Sequence, residues 1–141
     1  MLLGASVAAV SACGPGTVTI ALPHPAGAVM ASCARLVNYL PAVLDGEHAR
    51  VVSPRSPLVH AWGSPPVVMR CGVPQPGSFD PASPQTATVN GVTWFQEVGA
   101  DTVTWTAIRH DADVELIVPT SYEAQGGFLV ELSRALKQTI P

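Results

Sequence analysis

The residues of this chain with chemistry to offer are three cysteines, Cys13, Cys33 and Cys71, and a few histidines and carboxylates. A thiolate can act as nucleophile or metal ligand. No Gly-x-Ser-x-Gly elbow, P-loop, dinucleotide fingerprint or His-Glu-x-x-His run accompanies them. His110, Asp111 and Asp113, with His60 or His24 added, have the donor types of a metal site. The same His-Asp-x-Asp run between two strands has a simpler use, as a polar turn whose Asp side chains accept local backbone hydrogen bonds. Glu97 and Glu115 alternate onto one sheet face, as the carboxylates of a hydrolase would. That chemistry requires a separation of roughly 5–9.5 Å across a cleft. Outward Glu residues more commonly pair with an arginine, here Arg70 or Arg109, for about 0–1 kcal/mol. We expect no catalytic residue, no metal site and no cofactor.

The length of 141 residues suits one domain. Ten acidic against seven basic side chains leave a net charge of −3, without the basic face a nucleic-acid binder needs. With 48% hydrophobic residues the chain can build a core and is no disordered segment. It has no run of about twenty apolar residues to span a bilayer.

Residues 1–12 carry no charge and consist largely of Leu, Val, Ala, Gly and Ser, the composition of an export signal's apolar region. Val10-Ser11-Ala12-Cys13-Gly14 resembles the lipobox of bacterial lipoproteins, in which the cysteine is lipidated and becomes the new N-terminus. We expect lipidation at Cys13. The other readings are a cysteine beside a signal-peptidase site or a helical anchor. No Lys or Arg follows Met1, so we expect the true start to lie upstream. Residues 13–16 read as a tether. With Cys13 lipidated or removed, Cys33 and Cys71 remain, and in an oxidising compartment an even pair points to a disulfide. The competing reading is two buried free thiols. Closing that loop would stabilise the fold by roughly 4 kcal/mol.

Periodicity places the elements. Thr17–Leu22 alternates and reads as a strand. Val29, Cys33, Leu36, Val37, Leu40 and Leu44 recur at helical spacing over residues 28–44, with Pro41 kinking or ending the regular part. Strands are expected at 58–62, 67–71, 92–98, 102–109 and 114–118, with a proline-rich surface loop over 73–88. Thr120-Ser121-Tyr122-Glu123 fits a capping box ahead of a final helix burying Phe128, Leu129, Leu132 and Leu136. Val67, Met69 and Cys71 share one strand face, so a bridge to Cys33 makes that face the core side and turns Arg70 away. Trp94 and Trp105 fall on the core side. Residues 17–141 thus form a single two-layer α+β domain. Its mostly antiparallel sheet has about five to six strands and two helices on one face. The opposite face, with Arg70, Phe95, Ile108 and Ile117, is either open to a partner or covered by the 73–88 loop. Trp62, at a strand end, either packs over the disulfide or joins such a binding surface.

The run Ala61-Trp62-Gly63-Ser64-Pro65-Pro66-Val67-Val68-Met69-Arg70-Cys71-Gly72-Val73-Pro74 resembles the most distinctive segment of DUF3515, a family of uncharacterised actinobacterial envelope proteins. The likeness extends to Leu40-Pro41, to Val89-Asn90-Gly91-Val92-Thr93-Trp94, to Arg109, and to Val118-Pro119 with Tyr122. It implies a secreted or membrane-tethered protein with Cys33 and Cys71 paired, and it implies no activity. Six arginines against one lysine suit a GC-rich actinobacterial genome.

The resulting expectation is a non-catalytic exported domain, held by an N-terminal lipid or anchor at the outer face of the cytoplasmic membrane, or secreted. It binds an envelope protein or a cell-wall component, and no nucleic acid. The alternative is a small cell-wall hydrolase or metal-binding protein using His60, His110, Asp111 and Asp113.

Overall fold

The computed structural model describes residues 16–141. The expected export segment, Cys13 and all of the tether but Gly16 lie outside the described residues.

The chain runs β1 (Val18–Thr19), α1 (Gly27–Val37), β2 (Val43–Leu44), β3 (Glu47–His48), β4 (Val52–Ser53), β5 (Val59–Trp62) and β6 (Val67–Val73). It continues through β7 (Thr86–Val89), β8 (Val92–Val98), β9 (Thr102–Ile108), β10 (Asp113–Pro119) and α2 (Gly126–Thr139). Six strands form one sheet in the order β5-β6-β10-β9-β8-β7, and every neighbouring pair is antiparallel. The fold is α+β.

Register carries the facing argument across the sheet. Cys71 stands opposite Val114, Val114 opposite Ala107, and Ala107 opposite Trp94, so all four side chains share a face. All four are fully buried. Both helices lie on that face. Cys33 of α1 is joined to Cys71 in a disulfide, with 5.7 Å between Cα atoms and a sequence separation of 38. Ser133 of α2 accepts a 2.9 Å hydrogen bond from the Trp94 indole. Phe128, Leu132, Leu136 and Ile140 complete the layer.

Several expected elements are shorter or differently built. The Thr17–Leu22 strand reduces to two residues, paired in parallel with β4 outside the main sheet. Beyond it the Ala21 carbonyl accepts a hydrogen bond from Arg70, which holds this segment over the sheet's outer side. Helix α1 stops at Val37, where the Asn38 N–H returns to the Arg35 carbonyl and the Tyr39 N–H to that of Leu36. A residue before proline avoids helical geometry, so Leu40-Pro41 cannot extend the helix. Leu44 is nonetheless buried, from β2. Thr120 caps no helix, since its N–H and hydroxyl both reach the Asp101 carbonyl in the β8–β9 turn. Helix α2 therefore begins only at Gly126, without a side-chain cap. Within the expected loop, Thr86–Val89 forms edge strand β7, turned into β8 by Asn90 and Gly91 with φ 49° and 79°.

Candidate binding site

The distinctive Trp62–Pro74 run is built for close packing. Gly63 has φ +75°, and a Cβ there would lie 2.6 Å from the Tyr122 hydroxyl, beside the Glu47 carboxylate. Tyr122 donates to the Pro65 carbonyl at 2.8 Å. Burial and the adjacent Glu47 carboxylate raise the Tyr122 pKa. Arg50 bonds the Gly63 carbonyl and, at 2.6 Å, the Gly16 carbonyl, so the first described residue leaves the domain beside this turn. Gly72, at φ +86°, faces Pro25, whose Cγ would stand 2.8 Å from an added Cβ. Only glycine takes such positions without strain.

The anticipated outer binding face is divided by the structure. Trp62 is fully buried and donates its indole N–H to the Pro41 carbonyl at 2.9 Å, so it belongs to no open surface. Its register partner Val67 puts it on the core side. Phe95 is also buried, at 4% exposure, with Phe79 of the proline loop set edge-on at 5.6 Å between centroids. The loop crosses this face because it must carry the chain from β6, inside the sheet, to β7 at the far edge. Ile108 is half-buried. Arg70 and Ile117 remain in a groove of about 250 Å³ with Val68, roofed by Thr19, Ile20 and Ala21. There Arg70 forms a 2.7 Å ion pair with Glu115.

The histidine–carboxylate set does not converge. His60 lies on β5 with its ring 4.6 Å from that of Trp62, and burial lowers its pKa. His110 Nδ1 lies 2.9 Å from Asp111 on an exposed turn. Asp113 accepts the Arg109 N–H at 2.9 Å, and burial raises its pKa against that bond. Among the described residues no three His, Cys, Asp or Glu side chains are placed to hold a metal ion. His24, Arg109, His110, Asp111 and Asp113 do border an open cleft of about 430 Å³ beside Gly72.

A further cleft, of about 420 Å³, opens on the helix side of the sheet where the N-terminal end of α2 leaves β7–β9 exposed. Ala87, Val89, Val103 and Leu129 supply apolar lining, with Trp105, Gln96, Glu123 and Gln125 among the remaining residues. Trp105 is only half-buried, unlike Trp62 and Trp94, which are at 0%. Its indole N–H bonds Gln125 Oε1 at 2.8 Å, and the Gln125 amide in turn donates to the Tyr122 carbonyl at 3.2 Å. Alternation correctly gives Trp105 the helix-side face. It could not reveal that α2 starts too late to cover it.

The fold and its clefts define a disulfide-stapled, two-layer α+β domain whose open surface offers binding recesses. The chain belongs to the DUF3515 family, described as "Protein of unknown function", whose model it matches over residues 1–141. No curated protein and no solved structure matches it.

Proposed function

We propose that this chain is a non-catalytic binding domain of an actinobacterial cell envelope, exported by an N-terminal signal and tethered to the outer face of the cytoplasmic membrane by a lipid on Cys13. Its partner is an envelope protein or a cell-wall component. The observation that carries the reading is the Cys33–Cys71 disulfide, which belongs with an oxidising compartment. The lipobox-like Val10–Gly14 run supplies the membrane end. Pairing also removes both of those sulfurs as nucleophiles, which favours binding over covalent catalysis.

Fractionation of cells expressing the full chain tests this. The protein should sediment with membranes, be digested by protease added to intact protoplasts, and move to the soluble exported fraction in Cys13→Ser. A protein that stays in the cytosol and survives external protease overturns it.

A further inference from the structure

We infer that the Trp105 cleft is a saccharide site, which holds a neutral glycan chain of the cell wall. The cell-wall source of that glycan rests on the export reading above, whereas the chemistry of the cleft stands by itself.

A pyranose ring offers a patch of C–H groups and a rim of hydroxyls. Its receptor therefore needs apolar, preferably aromatic, surface bordered by hydrogen-bonding groups that both donate and accept. Trp105, Val89, Val103 and Leu129 give the first, and the amides of Gln96 and Gln125 with the carboxylate of Glu123 give the second. The Trp105 indole N–H is already committed to Gln125, and Gln125 to Tyr122, so the aromatic element is set before a ligand arrives. Such preorganisation lowers the ordering cost of binding. Among the described residues Glu123 is the one ionisable side chain lining the cleft, and it is acidic, which disfavours a phosphorylated or otherwise anionic polymer. The volume lies within the roughly 300–1,000 Å³ of small-molecule sites.

The protein carries its own probe. Trp62 and Trp94 are fully buried, so quenching of tryptophan fluorescence by acrylamide reports on Trp105. The full-length oxidised chain is titrated with the tetramer of β-1,4-linked N-acetylglucosamine, and in parallel with a soluble neutral glycan released from cell wall. Either sugar should shield Trp105 from quencher, and Trp105→Ala should abolish both quenching and binding. Gln96→Ala and Glu123→Ala should each weaken binding by about tenfold while the melting temperature holds. No shielding by either sugar in the folded, oxidised chain overturns the assignment. Shielding instead by an extended uncharged peptide also overturns it, and assigns the cleft to strand addition on β7. Free thiols in native material would sink the export reading alone and leave the sugar titration to be judged by itself.

Discussion

Arg70 and Glu115 meet across β6 and β10, with 2.7 Å between Nη1 and Oε1, while Arg70 Nε donates to the Ala21 carbonyl at 2.9 Å. One guanidinium thus joins the sheet to the segment that precedes α1. The Glu115 side chain is 14% exposed and would be left in place without its partner. Arg70→Met should cost about 1–2 kcal/mol in urea unfolding. It should also speed proteolysis at residues 19–22. Unchanged cleavage there would show that the arginine does not hold the segment.

The disulfide closes a loop of 38 residues between the two layers. Replacing both cysteines by serine should remove about 4 kcal/mol, from the restriction the bridge places on the unfolded chain. Reduction of the wild type should approach the same midpoint in denaturant. A change of less than about 1 kcal/mol would mean that the unfolded chain is already constrained there.

Gly63 combines a positive φ with Glu47 and Tyr122 where a Cβ would go. Gly63→Ala should lose at least about 2 kcal/mol, from conformational strain and displacement of the Tyr122 contact. The exposed neighbour Ser64 is the control, and Ser64→Ala should stay within about 0.5 kcal/mol. Equal effects at the two positions would refute the packing argument.

Ser133 is fully buried and accepts from Trp94, also fully buried. Ser133→Ala leaves the indole N–H without a partner in the core. The expected loss is about 1–3 kcal/mol by thermal or urea unfolding, more than an exposed Ser→Ala change produces.

Burial lowers the His60 pKa below its ordinary 6.5. The unfolded chain then takes up the proton first as pH falls. Stability is complete above about 6.5 and declines as acidification proceeds through that value toward the folded pKa. His60→Gln should flatten the stability curve in this window. Asp113, whose pKa is raised above 3.8 mainly by burial, acts with the opposite sign. It favours the fold at low pH, and that contribution fades as pH rises through the carboxylate range. A His60→Gln curve superimposable on the wild type between pH 7 and 5 would exclude the histidine as the source.

The long strands and the bridge were legible because alternation and cysteine parity are local facts. Cys33 on a helical stripe and Cys71 on the Val67–Met69 face specify the same contact from independent periodicities. What stayed hidden depends on neighbours remote in sequence. Leu40 and Leu44 keep helical spacing although the helix ends at Val37, because turns and β2 can bury leucines at those positions too. The Thr120 box fits a helix start, but Asp101 claims its hydrogen bonds. Trp62 reads as a strand-end aromatic and is enclosed by a contact to Pro41 that no pattern announces. Phe95 sits on the outer face as alternation requires, yet Phe79 covers it. The Trp105 cleft exists because α2 begins only at Gly126, too late along the chain to cover that part of the sheet.

The mass of the intact chain from native membranes, taken without reductant and with an alkylating reagent present at lysis, tests the export reading at its root. The expected species carries no adduct on Cys33 or Cys71, is lighter by two hydrogens than the reduced form, and bears a lipid on Cys13. Adducts on both Cys33 and Cys71 would place the chain in a reducing compartment and contradict its assignment to the envelope.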